Sequence, residues 1–185
     1  MKQIIVYILM TTCVLSLLSC EKTTDELSVA GKRMLDSWDG DYIEEAVFTG
    51  DDIISYNKST FEIKLTDSAI DKLLDMNSGW YFYTPRYGVL SFYFNGKLLF
   101  KNIQIRQTDT SLGPVNNLVF VVERNTITRN LYLADGFPVI KENEWDTNDE
   151  YKVVMRKARA ENTKKREVEW DIFINYLKNK GKLIK

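Results

Sequence analysis

Histidine is absent from all 185 residues, and cysteine occurs only at positions 13 and 20. Zinc centres draw mainly on those two residue types, and Ser-His or Cys-His nucleophilic machinery requires an imidazole. The commonest general base near neutral pH is missing as well. Residues 21–185 hold no thiol, so no disulfide can form within them. Gly79, Gly88 and Gly96 stand singly and no GxxxxGK run exists, so no phosphate-cradling loop is present. No internal repeat or low-complexity linker occurs. Carboxylate pairs, Ser-Lys dyads and oxygen-ligand metal sites remain open, and no cofactor is implied.

What is there begins at the amino terminus. Lys2 supplies a positive start, Ile4 to Leu18 is apolar apart from a few hydroxyls and Cys13, and Leu17-Leu18-Ser19-Cys20 closes the stretch. Its length fits the apolar core of a secretion signal and falls short of the ~20 residues of a membrane-spanning helix. The closing tetrad resembles the lipobox of bacterial lipoproteins, with Leu at −3, a small residue at −1 and the acceptor thiol. The resemblance covers residues 1–20 only. It implies cleavage between Ser19 and Cys20, a diacylglyceryl group on the Cys20 sulfur and an acylated new amino terminus. Several acyl chains meet the need for more than one lipid in a stable anchor, each buried methylene contributing about 0.8 kcal/mol. Glu21 stands where an Asp would signal inner-membrane retention, which implies the outer membrane of a Gram-negative envelope. Glu21, Asp25 and Glu26 resemble the acidic export signals of some surface lipoproteins, and the periplasmic and surface faces both stay open.

The expected organisation is a signal over 1–19, a lipidated Cys20 with a short tether over 20–26, and a single globular α+β domain over 27–185. A domain of that size buries roughly 70% of its unfolded-chain surface. Its 12% aromatic content argues for packing over disorder. Charge is uneven: residues 20–150 carry 13 Lys/Arg against 22 Asp/Glu, and residues 151–185 carry 11 against 4. The basic segment either docks on the acidic body or attracts an anionic surface or acidic protein. Nucleic acid is a poor partner for an envelope lipoprotein.

Along the chain, Leu27, Ala30, Met34, Leu35 and Trp38 follow helical spacing, with Gly40 as a stop, and predict a helix over 25–38. Residues 53–65 read as strands, with Phe61, Ile63 and Leu65 on one buried face. Thr66-Asp67-Ser68 predicts the cap of a short helix through Met76, with Ala69, Ile70, Leu73 and Leu74 as its stripe. Val89–Phe94, the Asn95-Gly96 pair and Lys97–Arg106 predict a hairpin with a type I′ turn. Leu98 and Phe100 alternate in one parity, Ile103 and Ile105 in the other, which calls for a bulge near Lys101-Asn102. Leu118–Val122 predicts a strand buried on both faces, with Ile127–Leu133 as its hairpin partner. Tyr151–Ala160 is compatible with strand or helix. Trp170, Phe173, Ile174 and Leu177 predict a terminal helix ending near Gly181. The sum is α+β: a mainly antiparallel sheet carrying helices on one side.

Three groups of residues invite functional readings. Trp80-Tyr81-Phe82-Tyr83 with Tyr87 is the densest aromatic run, and Tyr81, Tyr83, Arg86 and Tyr87 are the expected exposed partner-binding residues, suited to sugar faces or a hydrophobic partner; the same pattern also suits half-buried strands. Asp39, Asp41, Glu44, Glu45, Asp51 and Asp52 form an acidic cluster without the spacing of a calcium loop, as do Asp146, Asn148, Asp149 and Glu150, and both read as solvated loop acids. No spacing rule selects a carboxylate pair for glycoside cleavage. The leading expectation is a non-catalytic, lipid-anchored envelope protein binding a protein or glycan, in an accessory or immunity-type role. The alternative is a hydrolase acting on envelope polysaccharide through Asp/Glu alone.

Overall fold

A computed structural model describes residues 25–34, 42–77, 89–107, 114–123, 130–141, 144 and 149–184. Ser19 and Cys20, Asp39 and Asp41, Asp146 and Asn148, and the aromatic run with Tyr81, Tyr83, Arg86 and Tyr87 lie outside the described residues.

The fold is α+β: among the described residues there are one nine-stranded sheet and three helices. The strands are β1 (Leu27–Met34), β2 (Tyr42–Thr49), β3 (Ile53–Asn57), β4 (Glu62–Leu65), β5 (Val89–Phe94), β6 (Lys97–Gln107), β7 (Val119–Val122), β8 (Leu131–Ala134) and β9 (Leu183–Ile184). The helices are α1 (Asp67–Asn77), α2 (Glu150–Lys165) and α3 (Glu167–Asn179). Strand order is β2-β1-β5-β6-β7-β8-β4-β3-β9. The β6–β7 and β3–β9 pairs are parallel; the others are antiparallel.

One connection dictates the shape. Strands β2 and β3 lie seven places apart in the order, about 34 Å if the sheet were flat. Only the 3₁₀ turn Gly50–Asp52 joins them, and four Cα steps reach no further than about 15 Å. The sheet must therefore curl until its two margins approach. Asp52 fastens the link: its carboxylate accepts from the Thr49 backbone N–H at 2.8 Å, the Thr49 hydroxyl at 3.0 Å and the Thr66 hydroxyl at 3.0 Å. Its carbonyl accepts the Thr66 N–H at 2.9 Å. The Thr66 hydroxyl expected to cap α1 is thus spent on the turn.

Helix α3 fills the concave side. Phe173, fully buried, meets Tyr56 of β3, Phe92 of β5 and Phe100 of β6 at ring separations of 5.6–6.0 Å. A single ring touching strands that far apart in the order is a direct consequence of the curl. Leu177, Tyr176, Ile63, Leu133, Phe120 and the α1 stripe Ala69, Ile70 and Leu73 complete one continuous core.

Several expectations meet the structure. The stretch predicted as a helix over 25–38 begins instead with strand β1. Leu27, Val29 and Gly31 are buried while Lys32 is exposed, so period-two alternation between two partners, β2 and β5, overrides a helical spacing present in the same residues. Asn95 (φ 50°) and Gly96 (φ 73°) form the hairpin turn. Asn102 (φ 56°) marks the expected bulge, where Leu90 opposes Ile103 and Phe92 opposes Phe100. A second register shift between Phe92 and Tyr93 corrects the parity assigned to Leu98, which is 53% exposed while Leu99 is buried. Strand β7 is buried throughout, and Phe120 pairs with Leu133 of β8. Tyr151–Ala160 is helical because Asp149 caps it, accepting from the N–H groups of Tyr151 and Lys152 at 3.0 and 3.2 Å. Gly181 follows α3 at φ 68°.

Candidate functional site

Helix α2 has little apolar face: Met155 and Arg159 are its only buried residues. Polar contacts hold it instead. Arg159 donates from Nε to Asn116 Oδ1 at 3.2 Å, and Asn162 donates to the Asn116 carbonyl. Thr163 donates its hydroxyl to the Asp135 carboxylate, which also pairs with the Arg166 guanidinium at the α2–α3 junction. Arg166 Nη1 donates to Asn117 Oδ1 at 2.8 Å. Burial lowers the affinity of Arg159 for its proton, and the negative charge of Asp135 counters this. Gly136 leaves room for this arginine, since a Cβ there would lie 2.2 Å from Arg159 Nε and 2.7 Å from the Val115 carbonyl.

This latch sets the two helices apart from the β3–β4 turn and leaves a cleft of about 550 Å³ between them, within the range of small-ligand sites. Its apolar wall is Tyr56, Phe61, Trp170 and Ile174; its rim is Lys58, Lys164, Glu167 and Asp171, with Asp135 and Thr163 at one side. Trp170 stacks on Tyr56 at 6.3 Å and 28° and meets Phe100 at 5.3 Å. The Tyr56 hydroxyl donates to the Leu133 carbonyl at 3.1 Å, and burial together with Asp135 pushes its proton loss far above the usual tyrosine range.

Two features of the wall oppose stability. Phe61 sits at φ 62°, in the left-handed region where a bulky residue is strained by about 1–3 kcal/mol; it is held there by its carbonyl, which accepts the Leu133 N–H at 3.0 Å. The Trp170 indole N–H is buried with no hydrogen-bond partner among the described residues, a desolvation cost of about 1–3 kcal/mol. Strain and an unsatisfied donor thus meet in one wall of the cleft.

The rim is amphoteric. Lys58 and Lys164 offer donors; Glu167 and Asp171, one turn apart on α3, offer acceptors. The Asp135 carboxylate is already occupied by Arg166 and Thr163, and Glu167 and Asp171 are solvent-exposed. Such a set orients a polar ligand. Its most buried acid, Asp135, is ion-paired with Arg166, which differs from the unpaired, desolvated acid that glycoside cleavage uses. Among the described residues no group of three or more His, Cys, Asp or Glu could hold a metal ion. Of the acidic cluster, Glu44 lies 4.0 Å from Lys32 and accepts from the Tyr93 hydroxyl at 3.2 Å, while Asp52 serves the turn.

The basic segment meets the body through Arg159, Arg166 and Lys182, the last donating to the Gly50 and Asp51 carbonyls at 2.8 and 3.1 Å. Arg156, Lys157, Lys164 and Lys165 remain exposed without an ion pair among the described residues. Sequence reasoning placed Trp170 in the core and passed over Lys58, Asp135 and Thr163. The only signal for them was the surplus of base in residues 151–185, which called for acidic partners such as Asp135.

No helix among the described residues is long and apolar enough to cross a membrane. No protein-family model matches the chain, and no curated protein or solved structure is significantly similar to it.

Proposed function

We propose that this chain is a lipid-anchored cell-envelope protein, a single domain with a mainly antiparallel sheet, that binds a glycan without transforming it. The anchor reading is supported by Leu17-Leu18-Ser19-Cys20, and the outer membrane of a Gram-negative cell by Glu21. The binding reading is carried by the cleft at Trp170. Its aromatic and aliphatic wall suits the C–H face of a sugar ring. Hydroxyls both donate and accept, which matches a rim holding ammonium and carboxylate groups. A concave site of this size favours a saccharide over a broad protein surface, whose contacts span about 800 Å² per partner.

The test is titration of the mature lipoprotein, in detergent, with oligosaccharides from peptidoglycan and from lipopolysaccharide core, followed by tryptophan fluorescence. The expected result is a saturable change that Trp170→Phe abolishes while leaving the far-ultraviolet dichroism intact. Absence of saturation by any envelope saccharide, or an unchanged curve in Trp170→Phe, refutes the glycan reading.

A further inference from the structure

The chain enters the fold at Glu26, which is pinned to the β5–β6 turn: its N–H donates to Asn95 Oδ1, and the Asn95 N–H donates back to its carbonyl, both at 2.9 Å. Around this point gather Leu27 opposite Phe94, Ser28 opposite Thr49, the Gly50–Asp52 turn, and the carboxyl end of α3, whose Tyr176 ring meets Phe94 at 5.9 Å. The cleft lies at the other end of the same elements. Strand β3 starts beside the turn at Ile53 and runs to Lys58 in the cleft, about 17 Å further on. Helix α3 runs back from Tyr176 to Trp170, about 9 Å away along its axis, and to Glu167, about 14 Å away. Strand and helix agree that entry point and cleft occupy opposite ends of the molecule.

The tether between them and the lipid is short. Residues 21–25 lie between Cys20 and the pinned Glu26. The six Cα steps from Cys20 to Glu26 span about 13 Å on average and about 22 Å fully stretched. Turning the cleft toward the bilayer would require the tether to run the length of the domain, about 20 Å once side chains are added to the strand rise, which is well past its average span and close to full extension, at a cost in chain entropy.

We infer that the anchored protein stands on its Asn95-Gly96 end, with Lys97 and the exposed Leu98 nearest the lipid and the cleft facing away from the bilayer. The saccharide it takes is therefore one presented from the aqueous side, and not the headgroup of a lipid in the leaflet that holds the anchor. This inference rests on the lipid-anchor reading above.

The mature chain has no thiol besides Cys20, so single probes are clean. Lys97→Cys and Ser59→Cys, both exposed positions, are labelled with a fluorophore in the lipidated protein and reconstituted into vesicles carrying nitroxide headgroups. The expected result is quenching several-fold stronger at position 97 than at 59. Equal quenching, or stronger quenching at 59, in protein that floats with the vesicles overturns the orientation alone. Failure of the unsubstituted mature protein to float overturns the anchor, and the orientation with it.

Discussion

Arg166 and Asp135 join the α2–α3 junction to the end of β8 through a guanidinium–carboxylate pair whose side chains are only 20% and 15% exposed. Helix α2 depends on this pair because it buries so little apolar surface of its own. Asp135→Ala leaves the largely buried Arg166 without its carboxylate and removes one of the two acceptors of the Thr163 hydroxyl, the other being the Arg159 carbonyl at 3.0 Å. The expected loss is about 1–3 kcal/mol in urea unfolding, with amides of α2 losing hydrogen-exchange protection before those of α3. Equal loss across both helices would show that the pair does not hold α2 separately.

Gly50 lies against Tyr176: a Cβ there would come 1.9 Å from the phenol oxygen and 2.6 Å from the ring carbon bearing it. Gly50→Ala should cost about 1–3 kcal/mol by overpacking. Tyr176→Phe removes the nearest atom and should return part of that loss, so a double-mutant cycle should give a coupling of at least about 0.5 kcal/mol. Strict additivity would contradict the close approach.

The Asp52 carboxyl is held below its ordinary range, first by the Thr49 backbone N–H, then by the Thr66 and Thr49 hydroxyls and by Lys72, against a modest opposing effect of burial. A lowered folded-state value favours the folded protein above the unfolded value of about 3.9, and that advantage disappears as pH falls through the folded value. Unfolding followed from pH 6 to pH 2 should show a steeper acid decline in the wild type than in Asp52→Asn, which cannot titrate. Parallel curves would remove Asp52 from the acid response.

Phe61 combines a strained backbone with a place in the cleft wall. Asparagine tolerates the left-handed region far better, so Phe61→Asn should stay within about 1 kcal/mol of wild-type stability, strain relief offsetting lost ring burial. Saccharide affinity should fall with the loss of the ring. A large destabilisation would make Phe61 a core residue rather than a wall.

Cys20→Ala should shift the protein from the membrane to the soluble fraction, because the thiol is the proposed site of acylation. Unchanged membrane fractionation would refute the anchor.

Legibility varied with how local each determinant is. The hairpin was readable because Asn95-Gly96 specifies its turn and the parity switch after Phe100 demands a bulge. The α1 and α3 stripes repeat within a few turns. The sequence of β1 carries two patterns at once, Leu27, Ala30 and Met34 at helical spacing and Leu27, Val29 and Gly31 in alternation, and only pairing with β2 and β5 decides between them. Leu98 was misplaced because a second bulge leaves no mark in the sequence. The cleft is illegible in the sequence: Lys58, Phe61, Asp135, Thr163 and Trp170 come from distant segments, and nothing local announces an indole without a partner among the described residues or an aromatic at positive φ.

The three-residue link across the seam also bears on assembly. It leaves the hairpins β1–β2 and β3–β4 adjacent in the chain but on opposite margins, each waiting for a distant strand: β1 for β5, and β4 for β8 some 70 residues on, where Glu62 meets Tyr132. Long-range pairings of this kind make for slow folding. A nascent chain emerging from its amino end therefore carries two bare strand edges until residues 89–134 arrive to separate them. That interval, before β5–β8 insert, is when this protein is most open to pairing with a neighbour instead of with itself.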